Sequence, residues 1–544
     1  FLSTITLFLL LSRTYVASGL NRRKPNILVI LADDVGTGDV PLYWKGNYTS
    51  VNMPNLKKLM KKKGILFTDA HATPLCAPSR YSLLSGNYPH RGRRIFGSWS
   101  FNFHASQFTD DQVSLPKLLK KNGYRTGAFG KWHLGATAPP NGFPFNWADP
   151  SVLKDIITNE LFDWSLPIKQ AARYVGFDKS YTSMAGIQAP PYSFFQDDFL
   201  QTKEDQLNFW NIGRYQMSHG TSEIIQKGQG EKMWDSSAFD MIVVNKTKSF
   251  IGQHLKQYPY RPFFAYAALS NLHLPLTPPD KYLDGTKVKG RYDHEHLDLM
   301  HHLDKIVGSL VNFIQWKKIA KDTIIIFASD NGGRIYEVPN RYHANGPLRG
   351  SKSAVYEGGH RIPLIIRWDG VFPKNKKRNK MVHLTDIYAT LSEIINATIP
   401  IGSAHDSVSF YDYAKSGRSS HKNRKDLYVD KLNQENQPDG LSFRRGNLKL
   451  IYEPQLDTIQ CYDLRKDLRE QENLIPKMIK TEKGITKLRN MFKQMMSLSP
   501  CPCSYSKGGA RNPSECGTKY YSHCVKRNYH GYNHSMPLLK TLGL

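Results

Sequence analysis

Asn26-Ile-Leu-Val-Ile-Leu-Ala32 is an unbroken apolar run that stops at Asp33-Asp34, and Thr323-Ile-Ile-Ile-Phe-Ala-Ser329 repeats the pattern before Asp330-Asn331. Runs of this length without alternation are the signature of strands buried on both faces. Each ends in oxygen-bearing side chains, and in open parallel sheets the C-terminal edge of the strands is where sites assemble. Another buried strand is predicted at residues 263–269. Helix-like stretches occupy 53–63, 115–122 and, rich in His and Asp, 292–315. Together they predict an α/β fold, a large mixed, mainly parallel central sheet flanked by helices. Residues 136–235 are irregular, with many Pro, Gly and aromatic positions, and read as an insertion over the site. Residues 384–395 read as a closing helix. Beyond about 405 the composition becomes more polar, and runs such as Leu448-Lys-Leu-Ile-Tyr452 predict a smaller C-terminal domain containing an antiparallel sheet. The expected division is 24–404 for the large domain, 405–500 for the small one and 501–544 for a tail.

At 544 residues the chain exceeds one typical domain. Hydrophobic residues make up 40% and aromatics 12%, which is globular, and no apolar stretch is long enough for a membrane span. The apolar start, Phe1 to Leu11, followed by small residues at Val16-Ala17-Ser18-Gly19, reads as a secretory signal peptide over 1–18. Asn-x-Ser/Thr sequons at Asn47, Asn245, Asn396 and Asn533 agree with passage through the secretory pathway, to a lysosome or out of the cell. Cys501, Cys503, Cys516 and Cys524 crowd into the tail, where two bridges of undetermined pairing would staple it. Cys461 lacks an evident partner, and Cys76 stands alone, so it needs a reason other than a disulfide. The formal charge is +28, from 74 Lys and Arg against 46 Asp and Glu. A field of that sign concentrates anionic partners, although lysine runs such as 61–63 also serve simply as solvated surface. No zinc-finger spacing, RNA-binding aromatic signature or long basic helix points to nucleic acid.

The densest chemical signal is Pro74-Leu-Cys-Ala-Pro-Ser-Arg80, continuing Tyr-Ser-Leu-Leu-Ser-Gly86. Pro78 suits an early helical position, so a helix should begin at or just after Cys76 with Arg80 one turn on along the same face. Unpaired amides at that helix start and the Arg80 guanidinium both suit an anionic group. The stretch resembles the signature of type I sulfatases, in the alkaline-phosphatase-like superfamily, whose Cys-x-Pro-x-Arg core directs oxidation of the cysteine to formylglycine. Ser85 departs from the Thr more usual before the glycine. A second block, Gly123-Tyr-Arg-Thr-Gly-Ala-Phe-Gly-Lys131-Trp-His133, resembles the second sulfatase signature, with Phe129 where a smaller aliphatic residue is more usual. Lys131 and His133, two apart at a strand end, can face one side.

Asp33, Asp34, Asp330 and Asn331 offer hard oxygens without a His or thiol cluster, which favours calcium or magnesium over zinc. The resemblance implies one calcium ion, with formylglycine 76 completing its shell. Further matches are His273 in Ser270-Asn-Leu-His-Leu-Pro275 and Lys352 in Pro347-Leu-Arg-Gly-Ser-Lys352; His302 and His343 receive no role. The implied mechanism is hydrolysis of a sulfate ester, probed by aryl sulfates and directed at sulfated carbohydrate. A hydroxyl of hydrated formylglycine 76 attacks sulfur while Arg80, Lys131 and Lys352 offset charge on the sulfate. His273, with or without Lys352, protonates the leaving alcohol, and His133 takes the proton that lets sulfate depart. A formylglycine-generating enzyme is the implied maturation partner. The resemblance spans about residues 24–400, making 24–404 the expected catalytic domain, and continues more loosely to about 475 through Gln460-Cys-Tyr-Asp-Leu-Arg465. Two rivals stand beside it: a phosphodiesterase or phosphonate hydrolase of the same superfamily, and a non-catalytic secreted polyanion binder.

Overall fold

The computed structural model describes residues 24–498, apart from 46–47, 50, 94–104, 138–162, 164, 202–206, 217–222, 335–341, 419–422, 433–437 and 454–457. The expected signal peptide, the cysteine-rich tail and the sequons at Asn47 and Asn533 lie outside the described residues, while Asn245 and Asn396 are both exposed. In chain order the elements begin with β1 (Asn26–Ala32), α1 (Pro54–Lys63), β2 (Gly64–Phe67), β3 (Ala70–His71), α2 (Cys76–Ser85), α3 (Leu115–Lys121), β4 (Arg125–Lys131) and β5 (Lys179–Ser183). They continue with β6 (Phe195–Gln196), β7 (Phe199–Leu200), β8 (Leu207–Gln216), β9 (Glu223–Glu231), α4 (Phe239–Gln257), β10 (Phe263–Ala268), α5 (Glu295–Trp316) and β11 (Thr323–Ser329). After these come α6 (Glu357–His360), β12 (Leu364–Arg367), β13 (Lys376–Arg378), β14 (Val382–His383), α7 (Asp386–Ile394) and α8 (Tyr411–Ser416). The last are β15 (Asp426–Leu432), β16 (Pro438–Arg445), β17 (Leu448–Glu453), β18 (Thr458–Asp463), α9 (Ile475–Met478) and α10 (Glu482–Leu498).

The large sheet runs β13-β2-β12-β11-β1-β10-β4-β5-β6-β7. Its centre, β11-β1-β10-β4-β5, is parallel, and the flanks turn antiparallel at β12 and β6. The unbroken apolar character of β1 follows from its place: Ile27, Val29 and Leu31 enter one core with Tyr81, Leu84 and Leu118, while Leu28 and Ile30 enter the other with Val243 and Leu303. Strand side chains alternate between faces, so a strand covered by helices on both sides has no polar face to show. Each fully buried Leu, Ile or Val there contributes roughly 1.5–3 kcal/mol.

The described residues within 136–235 hold more regular structure than the composition predicts. β5 joins the central sheet in parallel beside β4, β6 and β7 extend that edge, and β8 with β9 forms a hairpin. β5, β6 and β7 are short, which hides them from a periodicity reading. The small domain is an antiparallel sheet, β15-β16-β17-β18. Alternation along β17 sends Leu450 and Tyr452 into a core with Leu488, Met491 and Phe492 of α10, and Ile451 toward Val355 of the large domain. Cys461 is buried in the first of these cores, with no disulfide partner among the described residues. Tyr413 and Ala414 of α8, past the division expected at 404–405, belong to the core of the large domain.

Candidate active site

Five segments converge at the C-terminal edge of the parallel strands. Asp33 and Asp34 follow β1, Lys131 ends β4 with His133 just beyond, His273 follows β10, Asp330 and Asn331 follow β11, and Cys76 opens α2. Successive residues of an extended strand point to opposite faces. Asp34 escapes that rule because its φ of 60° turns the backbone left-handed, and both carboxylates then face the same centre. His133, at φ 54°, makes the same departure. Such conformations cost about 1–3 kcal/mol in a non-glycine residue and persist where the surroundings hold them. Gly130 permits the approach of β4 to β10: a Cβ on it would meet Ala268 O at 1.9 Å.

Helix α2 begins at Cys76, its N-cap Leu75 supplies no side-chain cap, and Gly86 ends it in the left-handed conformation. Four residues into the helix, Arg80 is fully buried. Its Nη2 donates to Asp330 Oδ2 at 2.7 Å and Asp33 Oδ2 at 3.2 Å, and its Nη1 to Lys131 O at 3.1 Å. Lys131 Nζ donates to Asp33 Oδ2 and Gln188 Oε1, both at 2.6 Å. Lys352 Nζ lies 2.6 Å from Asp34 Oδ1, which also accepts from Asn331 Nδ2 at 2.8 Å. His273 Nε2 lies 4.0 Å from Asp34 Oδ2, with its Nδ1 bonded to Leu274 O at 2.7 Å. His133 Nδ1 is 3.4 Å from Cys76 Sγ.

All ten candidates thus enter one cluster. His302 lies behind it, its Nδ1 accepting from Asn271 Nδ2 at 3.1 Å, whereas His343 is exposed. Gln188 was not anticipated from sequence, since a lone Gln in a Pro-rich loop carries no motif. Asp240 was also unforeseen; it accepts from Ser270 N at 2.8 Å and supports the His273 loop from α4.

The electrostatics follow from burial among opposed charges. Burial disfavours the Asp33 anion, but Lys131, His273, Arg80 and Lys352 outweigh it and hold the carboxyl well below its ordinary range. Asp330 is pushed up to about 7 by burial and the neighbouring Asp33 charge, with Arg80 opposing. Burial, Lys352 and Lys131 bring His273 down to about 3, and burial with Lys131 and Arg80 holds His133 well below the usual imidazole range. Burial raises the Cys76 thiol.

A divalent ion fits this donor set. Asp33 Oδ1, Asp34 Oδ2 and Asn331 Oδ1 are buried without a hydrogen-bond partner, an arrangement that costs free energy unless something else satisfies those oxygens. Ligand atoms of Asp33, Cys76 and Asp330 lie within 4.8 Å of one another, as do those of Asp33, Asp34 and His273. A third group, His71, Glu357 and His360, meets the same distance, but Lys449 Nζ already sits 3.1 Å from both Glu357 Oε1 and His360 Nε2. It belongs to a buried ion network between the two domains. Arg444 donates to both oxygens of Asp69 at 2.8 Å, Arg361 pairs with Glu357 at 2.9 Å, and Lys449 pairs with Glu470 at 2.8 Å.

A family model described as Sulfatase matches residues 25–397, and one described as N-sulphoglucosamine sulphohydrolase, C-terminal, matches 351–498. An N-acetylgalactosamine-6-O-sulfatase of Bacteroides thetaiotaomicron is 30% identical over 72% of this chain and 76% of its own length. The N-acetylgalactosamine-6-sulfatase of Canis lupus familiaris is 28% identical over 71% of this chain and 65% of its own. A solved structure described under metabolism of multiple glycosaminoglycans by Bacteroides thetaiotaomicron superposes with a TM-score of 0.69 at 25% identity, covering 88% of this chain and 99% of that one.

Proposed function

The chain belongs to the sulfatase family, hydrolases of sulfate esters, and on that premise we propose that it desulfates carbohydrate through a formylglycine made from Cys76 and one calcium ion. The observation that carries this reading is the set of orphaned oxygens on Asp33, Asp34 and Asn331 beside the Asp33, Cys76 and Asp330 cluster. Asp33, Asp34, Asp330 and Asn331 would hold the ion, and hard oxygens suit calcium. When present, formylglycine supplies a hydrated aldehyde as nucleophile, and the ion supplies Lewis-acid charge.

The remaining work falls to side chains. Arg80, Lys131 and Lys352 bind the sulfate oxygens and offset the charge that develops on them. Two of the three Lys131 N–H donors are held by Asp33 and Gln188, which leaves the third for substrate. His273 with Lys352 places a proton at the ester oxygen, Lys352 supplying it because His273 is neutral with its proton on Nδ1, so the alcohol leaves neutral. His133, whose Nδ1 faces position 76 and whose buried Nε2 has no partner, takes the proton from the residue 76 side. The +28 charge and the names of the relatives favour sulfated polysaccharide. The apolar start and the sequons favour a lysosomal or extracellular location, and no helix among the described residues is long and apolar enough to cross a membrane.

The test is turnover after expression with a formylglycine-generating enzyme, with peptide mass analysis around position 76. Conversion of Cys76 and release of sulfate from an aryl sulfate are expected, with Cys76→Ala folded and inactive. Faster turnover of an aryl phosphodiester, or full activity in Cys76→Ala, would overturn the reading.

A further inference from the structure

Helix α5 links the catalytic edge to the opposite side of the molecule. His302, near its start, bonds to Asn271 beside the active site. Trp316, fourteen residues on at its end, lies about 21 Å further along the helix axis. There Trp316 is 70% exposed, in contrast to the buried aromatic residues of the two large cores. It borders a groove of about 460 Å³ between α4, α5 and the Tyr282–Asp284 loop.

Two features of this groove point to one kind of occupant. The first is an aromatic step: Phe313, partly buried, and the exposed Trp316 have ring centroids 5.8 Å apart at an interplanar angle of 44°, while Tyr282 across from them is buried and only floors the groove. Flat rings of this kind pack against the C–H faces of pyranose sugars, burying apolar area without needing hydrogen bonds from the ring. The second is charge. Lys248 and Lys305 line the groove, and Lys317 Nζ stands 4.1 Å over the Trp316 ring. Lys305 is neutralised by Asp284 at 2.5 Å, and Lys248 donates to Ser309 Oγ at 2.5 Å. Lys248 and Lys317 therefore leave the surface net positive beside the aromatic step.

We propose that the groove bordered by Phe313 and Trp316 with Lys248 and Lys317 is an accessory site for a sulfated polysaccharide, gripping a stretch of chain remote from the sulfate being cleaved. Sugar rings stack on the aromatic step and sulfate groups meet the two lysines. This rests on the reading of the protein as a carbohydrate sulfatase and adds a second point of attachment. Two tethered contacts raise the effective concentration of polymer at the active site, with no benefit to a small substrate.

The test uses the full chain with Asn245→Gln, which removes an exposed sequon one helical turn from Lys248. Chondroitin sulfate, chemically desulfated chondroitin and a DNA duplex of similar length serve as probes in equilibrium binding. Trp316→Ala, and separately Lys248→Ala with Lys317→Ala, are expected to weaken chondroitin sulfate binding about tenfold, equivalent to roughly 1.4 kcal/mol. They should raise KM on the polymer and leave kcat/KM for an aryl sulfate within twofold. Unchanged polymer binding in Trp316→Ala would overturn the proposal, as would DNA bound equally well with the same dependence on Trp316. Absence of aryl sulfate turnover in converted wild type would instead sink the catalytic reading, while a Trp316-dependent preference for the sulfated polymer would still support this site.

Discussion

Gln188→Leu should reduce kcat/KM for an aryl sulfate about 10–45-fold while leaving the fold intact. Lys131 Nζ is fixed by acceptors on two sides, Asp33 Oδ2 and Gln188 Oε1, each at 2.6 Å. A hydrogen bond between a neutral group and a charged one is worth roughly 1.5–3 kcal/mol, and each decade of rate corresponds to about 1.36 kcal/mol. Because Asp33 still anchors the ammonium, the lower half of that range applies. Leucine matches the length of glutamine closely enough to keep the loop packed, so the loss would report acceptor chemistry. Gln188→Glu should do worse, since a carboxylate holds Lys131 more tightly and repels the sulfate. The assay is steady-state kinetics with formylglycine content and thermal midpoint checked for each variant, against Lys131→Ala as the limit, expected at about 10²–10³-fold. Wild-type kcat/KM in Gln188→Leu alongside a crippled Lys131→Ala would show that Gln188 does not position the lysine.

Lys449→Met should destabilise the protein by about 3–5 kcal/mol in denaturant titration, because it removes the cation paired with buried Glu470 and leaves buried Glu357 to Arg361; a change below about 1 kcal/mol would contradict that account. Chelation should abolish turnover and lower the thermal midpoint, both restored by calcium, since the Asp33, Asp34 and Asn331 oxygens lose their only proposed partner; full activity after exhaustive chelation would refute the ion's role. His360 is held well below the ordinary imidazole range by burial and Lys449, so below about pH 6.5 the unfolded chain binds the extra proton and stability falls with pH. Wild type should therefore lose more stability between pH 6.5 and 5 than His360→Gln, measured by urea midpoints; an equal or smaller loss would be inconsistent with a neutral buried His360.

The parallel core and its reactive edge were legible because burial on both faces leaves a local mark. Val29 and Ile326 sit in runs that no solvated strand would carry, and the acidic residues that end those runs stand out against them. Cys76 and Arg80 were legible by spacing, since four residues bring them onto one helical face. The β5–β7 edge was not, because strands as short as Phe195–Gln196 carry too few positions for any period to show. Gln188 and Asp240 were invisible for a different reason: each acts through one hydrogen bond to a residue distant in sequence. The interdomain ions were hidden because Asp69, Glu357, Arg444 and Lys449 look like surface charges until the fold brings opposite signs together.

That network bears on catalysis through the segment it grips. Lys449 and Glu470 from the small domain hold Glu357, and Glu470 Oε2 also accepts from Glu357 N at 2.7 Å. Gly359, two residues on, accepts through its carbonyl from Gly332 N at 2.9 Å, immediately after Asn331, the proposed ligand. On the other side of Glu357, Lys352 N donates to Gly333 O at 3.1 Å and Ser353 N to Pro74 O at 2.8 Å, two residues before Cys76. Residues 352–360 are therefore a strap that supplies Lys352, backs the end of β11 and touches the approach to α2. A strap of loop and one short helix has little stability of its own. The small domain supplies the missing restraint, so damage to Lys449 should appear first as disorder of Lys352 and weakened ion binding, before the parallel sheet itself unfolds. Limited proteolysis within 345–360 of Lys449→Met, at a denaturant concentration where the tryptophan signal is still native, would detect it. Cleavage that only tracks global unfolding would mean that the strap is held by the large domain alone.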